Sequence, residues 1–173
     1  DGDTGVYIDG FGNPTANTTL RNNQINNNGS YGIYLQGNVS GTIISGNSIT
    51  QSSSGWGAIY SDDFDLTFTS LNIQNNTSIS DTNGYGIYFD YFSGALTISG
   101  NNISNNYYEG VYISSMGSGS SLNLTQNTIE SNGTVGGYSS LYINQVINGD
   151  VTIQNNSAIS GSGQYGIYLG GVD

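Results

Sequence analysis

The side chains that could do chemistry in this sequence are nearly all carboxylates. Its 173 residues include 12 acids and a single cation, Arg21, and they lack histidine and cysteine. Zinc held by Cys or His is therefore excluded, and so are mechanisms that use a thiol, an imidazole or a lysine amine. One group of acids stands out in the repeat pattern described below. It consists of Asp62, Asp63, Asp65 and Asp90.

The first chemistry to test against these aspartates is glycoside hydrolysis. It needs two carboxyl groups roughly 5–10 Å apart across a sugar-binding cleft. The four aspartates could supply such a pair, but Arg21, the only basic side chain, lies in a different stretch without a clustered acid. The carboxylates alone therefore leave this reaction open.

A short strand-like unit built around a tyrosine recurs along the whole chain. Its central residues are Tyr7, Tyr34, Tyr60, Tyr88, Tyr112, Tyr142 and Tyr168. The first and last lie 161 residues apart over six intervals, so the mean period is about 27 residues. A fixed period of this length is typical of a solenoid.

Two further apolar, β-prone stretches lie between successive tyrosine units, and Gly, Asn and Ser turns separate them. Three short strands per repeat predict an all-β, parallel β-solenoid of about six coils. At 4.8 Å per coil the rod would be roughly 30 Å long. We predict one domain over residues 1–173, which could equally be a segment of a longer solenoid or a repeating filament unit.

The repeat also gives the aspartates a register. Asp62 and Asp90 each follow a column tyrosine by two residues, so they are expected to be neighbours on adjacent coils. Two carboxylates about 5 Å apart repel unless a cation or a proton intervenes. With Asp63 and Asp65 they form a candidate Ca²⁺ site, since calcium prefers oxygen ligands. The alternative is a solvated acidic turn without metal, and the sequence leaves both open.

A column of asparagines accompanies the repeat. Its members are Asn23, Asn47, Asn76, Asn101, Asn127 and Asn156. Stacked side-chain amides can hydrogen-bond from coil to coil, as they do in cross-β structures. Asparagine is also abundant and favours turns. Since all six positions match, we favour a structural asparagine ladder.

Segments such as Ile98–Ile103 (ISGNNI) and Tyr85–Phe89 (YGIYF) resemble those of the right-handed parallel β-helix superfamily, the pectate-lyase-like fold. In that superfamily, lyases use a basic residue as base, often with bound calcium, and hydrolases use carboxylates and commonly a histidine. This chain has no histidine, no lysine and one arginine, so the resemblance implies no catalytic residues and no enzymatic activity. Its character is closest to the non-enzymatic surface, adhesin and sheath proteins, although the fold alone does not give the function.

The tyrosine column has three possible roles. In the Ile-Tyr-Leu unit, alternation sends the aliphatic residues to one face and tyrosine to the other. If the aliphatics face the core, the seven tyrosines form a surface aromatic ladder. Such a stripe could stack on sugars, pack against a neighbouring rod, or simply stabilise the sheet through cross-strand pairs.

Asn-x-Ser/Thr sequons are dense, as expected by chance in a chain so rich in these residues. Asn28, Asn38 and Asn132 lie in Gly-rich or loop-like surroundings and are the predicted accessible glycosylation sites.

The net charge of −11 excludes nucleic-acid binding and disfavours anionic membranes. No apolar run reaches the roughly 18 residues of a membrane span. No capping helix is evident at either end, so we expect self-association by end-to-end and side-by-side packing. The predicted function is an extracellular structural protein of a surface filament, sheath, surface layer or adhesin stalk. The alternative is a module that binds or degrades polysaccharides.

Overall fold

The structure is a computed structural model that describes residues 4–12, 17–51, 55–81, 83–146 and 148–171. The described residues form eighteen strands and no helix. Every strand pair is parallel. The described part of the chain therefore also contains no helix able to cross a membrane.

The strands stack into three sheets that run along the rod. The first sheet contains β1 (Thr4–Gly10), β4 (Tyr31–Gly37), β7 (Gly57–Ser61), β10 (Tyr85–Ser99), β12 (Val111–Met116), β15 (Leu141–Val146) and β18 (Ile167–Leu169). The second contains β2 (Thr19–Arg21), β5 (Thr42–Ser45), β8 (Thr67–Gln74), the second half of β10, β13 (Ser121–Thr125) and β16 (Asp150–Gln154). The third contains β3 (Gln24–Asn26), β6 (Ser48–Gln51), β9 (Ser78–Asp81), β11 (Asn102–Ser104), β14 (Thr128–Glu130) and β17 (Ala158–Ser160).

A fixed backbone bend turns the chain from the second sheet into the third. The residue before each asparagine of the ladder has a positive φ, between 53° and 65°. Glycine and asparagine adopt this left-handed conformation most readily, which explains why the bends are rich in both. These bend residues are Asn22, Gly46, Asn75, Gly100, Gln126 and Asn155.

The core is a bundle of aliphatic columns, one or more from each sheet. Strand alternation places β-branched and leucine side chains inward, and most have no solvent exposure. The fully buried members include Ile33, Ile59, Ile87, Val111 and Leu141 in the first sheet, Ile44, Ile73, Ile98 and Leu124 in the second, and Ile49, Ile79, Ile103 and Ile129 in the third.

The coils approach one another closely where the first sheet begins. A Cβ atom at Gly86 would lie 2.5 Å from the backbone oxygen of Gly110 in the next coil. Only glycine fits there, which explains why a glycine so often precedes the tyrosine unit. The predicted all-β parallel solenoid of about six coils is confirmed.

Candidate functional site

The seven tyrosines of the repeat lie directly above one another on the outer side of the first sheet. Each pairs with the next in the strand register. Their ring centroids are 4.4–6.3 Å apart, and successive rings are within 25° of parallel. We call Tyr7, Tyr34, Tyr60, Tyr88, Tyr112, Tyr142 and Tyr168 the tyrosine column.

Further tyrosines from the preceding turns lean against this column. Tyr31 contacts Tyr34 at 4.9 Å, and Tyr85 contacts Tyr88 at 4.8 Å. Tyr108 packs on Tyr85 at 4.9 Å. The column and its flanking rings together form the tyrosine face. Its flanking members are Tyr31, Tyr85, Tyr107, Tyr108, Tyr138 and Tyr165.

The tyrosine face is on the surface, but its rings shield one another. Tyr7 at one end is 54% exposed, whereas Tyr60 in the interior of the stack is only 7% exposed. The expectation of a uniformly exposed ladder is therefore corrected, because flanking Tyr31 covers Tyr60 at 4.8 Å. Burial raises the pKa of the Tyr60 phenol, and the nearby Asp62 carboxylate raises it further.

Two of the predicted calcium-binding aspartates instead accept hydrogen bonds from tyrosine hydroxyls. The Tyr34 hydroxyl donates to Asp62 of the next coil. The Tyr88 hydroxyl donates to Asp90 at 3.4 Å. Burial and this contact with Asp62 raise the pKa of the Tyr34 phenol. Each carboxylate is thus hydrogen-bonded to a ring of the tyrosine column.

The other two aspartates organise the turn after β7. Asp63 accepts from the backbone amide of Gly37 at 2.6 Å and from that of Asp65 at 3.0 Å. Within the described ranges, no group of three or more acidic side chains could hold a metal ion. The four predicted aspartates therefore do not form such a group among the described residues. Calcium binding stays a prediction that no ligand cluster in these ranges supports.

The asparagine ladder is a continuous hydrogen-bonded spine inside the bend. Except at Asn23, the first member, each amide oxygen accepts from the backbone N–H and from the amide nitrogen of the ladder asparagine one coil earlier, at 2.8–3.1 Å. From Asn47 onwards, the second amide hydrogen goes to a backbone carbonyl of the preceding coil. The side-chain amides from Asn47 to Asn127 are nearly or fully buried, so the fold needs these hydrogen bonds for its stability.

A second polar column lies at the bend after the third sheet, and it was not predicted from the sequence. Its members are Asn28, Gln51, Asp81, Asn106 and Asn132. Asn106 donates to the Asn132 amide oxygen at 2.7 Å and to the backbone oxygen of Ile79 at 3.3 Å, as in the first ladder. Asn-Asn pairs at 27–28 and 105–106, similar to those at 22–23 and 75–76, are the signal that could have revealed it.

Asp81 interrupts this second column with an acid. The side chain is fully buried, and its Oδ2 has no hydrogen-bond partner among the described residues. Burial raises the pKa of Asp81 to about 6, partly opposed by backbone hydrogen bonds from Asn83 and Gly84. A carboxylate lacks the two N–H donors that asparagine supplies at the equivalent position.

The second column also corrects the predicted glycosylation sites. Asn132 is completely buried, and its amide nitrogen donates to the backbone oxygen of Ile103 at 3.0 Å. The amide nitrogen of Asn28 is buried as well. Neither folded site is accessible, because both asparagines point into the bend. Asn38 is half-buried, with its amide oxygen bonded to the Ser40 hydroxyl at 2.6 Å, and its occupancy stays a prediction.

An open groove lies beside the tyrosine face. It has a volume of about 320 Å³ and is lined by Gly55, Trp56, Asn83 and Tyr108. Trp56 is 56% exposed and forms an apolar wall. A groove with aromatic walls can hold a planar or ring-shaped ligand.

Parallel coils, inward aliphatic columns and polar ladders in the bends together define a β-helical protein. The family described as "Right handed beta helix region" matches residues 1–148. The chain belongs to this right-handed β-helix family, as the resemblance in its sequence indicated. Comparison with curated proteins and with solved structures found no match to the chain.

Proposed function

We propose that this chain is a non-enzymatic structural element of an extracellular surface. In this proposal it is a stiff rod that associates with copies of itself to form or extend a filament, sheath, surface layer or adhesin stalk. The observation that carries the proposal is the tyrosine column, seven stacked rings on the outer surface from Tyr7 to Tyr168.

An aromatic surface of this kind is suited to association between proteins. Tyrosine is enriched at interfaces because it combines a large apolar area with a polar tip and loses little rotamer freedom. A contiguous apolar patch on a soluble rod marks an interaction site. Since the column runs parallel to the rod axis, a partner rod lying alongside could contact several rings at once.

The two halves of the column differ in charge. Beside the first half lie the carboxylates of Asp9, Asp62 and Asp90. In the second half, the position two residues after a column tyrosine is neutral, with Ser114 after Tyr112 and Asn144 after Tyr142. Glu109 lies near Tyr112 and Tyr142, but it is buried, so the second half presents fewer carboxylates at the surface. The second half is therefore the favoured contact surface for another acidic copy.

Electrostatic repulsion sets a condition on this association. Copies with a net charge of −11 repel each other, and screening extends over about 8 Å at physiological ionic strength. Lateral packing should strengthen with added salt. Stacking of rods end to end stays a prediction from the sequence.

Electron microscopy of the purified chain at low and high salt, with and without a calcium chelator, tests this proposal. We expect regular filaments or sheets at high salt, and unchanged assemblies after chelation if calcium has no role. A dispersed monomer under all four conditions would reject the structural role. Protease treatment of intact source cells tests the proposed location, since a surface protein should be lost.

The groove beside Trp56 favours a second candidate function, the binding or degradation of an extracellular polysaccharide. An exposed indole can stack on a sugar ring, and the groove continues onto Tyr108. Retention of the chain on immobilised polysaccharides, with Trp56→Ala as the variant, tests this function. Retention that survives Trp56→Ala, or no retention at all, would exclude this groove as a sugar site. Release of reducing ends would establish degradation.

A further inference from the structure

The tyrosine column is an unbroken path of oxidisable rings. Each phenol contacts the next at 4.4–6.3 Å between centroids, from Tyr7 to Tyr168. At 4.8 Å per coil the path is about 29 Å long. An electron can pass between aromatic rings in contact, whereas a single transfer over the full length would be slow.

Two carboxylates lie beside hydroxyl groups of the column that would release protons when their rings are oxidised. A phenol that loses an electron becomes strongly acidic, so it needs a base within hydrogen-bond distance. The Tyr34 hydroxyl donates to Asp62, and the Tyr88 hydroxyl donates to Asp90 at 3.4 Å. A tyrosine is already protonated at neutral pH, and burial raises the pKa of Tyr88 further, with an additional contribution from Asp90. Electron and proton therefore leave these tyrosines together.

Few other side chains compete for an oxidant. The chain has 14 tyrosines but no cysteine, one methionine and one tryptophan. Met116 is fully buried in the core, and Trp56 lies in the groove beside the face. Among the oxidisable side chains of the described residues, tyrosines of the face predominate at the surface.

We propose that the tyrosine column relays single oxidising equivalents along the rod. A one-electron oxidant, such as a photogenerated ruthenium(III) complex or a peroxidase, takes one electron from a phenol and is reduced. At Tyr34 or Tyr88 the hydroxyl proton passes to the aspartate, which gives a neutral phenoxyl radical and a protonated carboxyl. The neighbouring tyrosine then gives one electron to that radical, which takes its proton back from the aspartate. The neighbour's own hydroxyl proton passes to its carboxylate or, at rings without one, to water, so the radical moves by one ring.

The ring contacts give this relay two obligatory steps. Among the described residues, Tyr142 and Tyr168 connect to the rest of the face only through Tyr112. In the same way, Tyr60 alone joins the rings of Tyr7, Tyr31 and Tyr34 to Tyr88. Tyr108, by contrast, lies on a side branch with Tyr107 and Tyr138. A change at Tyr112 or Tyr60 should interrupt the relay, and a change at Tyr108 should not.

The absence of cysteine allows the oxidant to be attached at one end. In Leu169→Cys, an exposed site next to Tyr168, the new thiol would carry a ruthenium tris-bipyridyl complex. Illumination with a cobalt(III) ammine as sacrificial acceptor generates ruthenium(III) there. A nitroso spin trap adds to phenoxyl rings without further oxidation, and mass spectrometry then measures the adduct at Tyr7, which is 54% exposed.

We expect trapping at Tyr7 in the labelled parent and in its Tyr108→Phe variant, independent of protein concentration. Tyr112→Phe should lower it at least tenfold, since phenylalanine keeps the stack but resists oxidation. Tyr60→Phe should do the same, which guards against a folding defect in one variant. The relay is refuted if trapping stops at Tyr165 and Tyr168 in the parent. It is equally refuted if both blocking variants retain trapping at Tyr7 within twofold of the parent.

The carboxylates have their own test in the same labelled chain. Asp62→Asn removes the base at Tyr34 and should lower trapping at Tyr7 about fivefold, whereas Asp62→Glu should restore it. A purely structural role of Asp62 would instead lower the melting temperature in Asp62→Asn and leave the trapping yield of the folded protein unchanged, which would contradict the proton-acceptor part of the relay.

Discussion

The asparagine ladder and the tyrosine column repeat with the same period, yet the coil uses them differently. In the ladder, each buried amide makes directional hydrogen bonds of 2.8–3.1 Å to the next. In the column, ring spacing varies from 4.4 to 6.3 Å, and the rings lie outside the core. The ladder therefore fixes the geometry of the coil, while the column tolerates variation and is available for contacts with other molecules.

The largest effect should come from breaking the ladder at its centre. Asn101→Leu leaves the backbone N–H and amide nitrogen of Asn76 without an acceptor and removes the donor to the Ile73 carbonyl. Buried groups left unsatisfied cost about 1–3 kcal/mol each, so we expect a loss of about 4 kcal/mol in the free energy of unfolding, measured with urea.

The matched control for this change is the next residue in the chain. Asn102 points outward from β11 and is exposed, so Asn102→Leu should alter stability by less than about 0.5 kcal/mol. Equal effects of the two leucine substitutions would show that the ladder contributes nothing beyond ordinary asparagine turns.

A medium effect should come from repairing the acid in the second polar column. Because burial raises the pKa of Asp81 to about 6, the folded state favours the protonated carboxyl. The stability that protonation provides is fully present below pH 4 and is lost as the pH rises through 6. Asp81→Asn should therefore increase stability by about 2 kcal/mol at pH 7.5.

This gain should shrink strongly at pH 4, where the Asp81 carboxyl is protonated in the folded state and about half protonated in the unfolded state. Thermal or urea unfolding at both pH values measures the difference. Asp65→Asn, at an exposed site, serves as the control for loss of one negative charge. A pH-independent gain, or an equal gain in the control, would argue against a buried acid as its origin.

A smaller effect should follow from removing a ring of the tyrosine column. Tyr88 stacks between Tyr60 at 4.5 Å and Tyr112 at 5.1 Å. Cross-strand aromatic pairs contribute about 0.2–1 kcal/mol each, so Tyr88→Ala should cost about 1 kcal/mol in the free energy of unfolding. Tyr88→Phe keeps the stack and should cost less than half as much. If Tyr88→Ala destabilises as strongly as Asn101→Leu, the column is as structural as the ladder.

The sequence predicted the period, the three sheets and the first ladder because each depends on like residues recurring at one register. The second polar column escaped notice because it mixes three residue types, with Gln51 and Asp81 among its asparagines. Asn132 belongs to this column and was wrongly predicted to be a surface glycosylation site. Its Gly-rich surroundings suggested a loop, whereas its side chain turns into the bend.

The aspartate group shows a different limit. Sequence register predicted Asp62 and Asp90 to be neighbours on adjacent coils, and the carboxylates of both raise the pKa of the Tyr60 phenol. Side-chain partners cannot be read from register, however. The hydroxyl of Tyr34 and the backbone amide of Gly37 donate to Asp62 and Asp63, and no group of three or more acids that could hold a metal ion forms among the described residues.

The outward role of the tyrosine column is tested most directly by sedimentation velocity of two glutamate variants at high salt. Tyr142→Glu adds a charge to the neutral half of the column, whereas Thr152→Glu adds the same charge at an exposed position of the second sheet. We expect the parent and Thr152→Glu to sediment as elongated oligomers and Tyr142→Glu as a folded monomer. Oligomers of equal size in all three, or a monomeric parent, would contradict association through the tyrosine face.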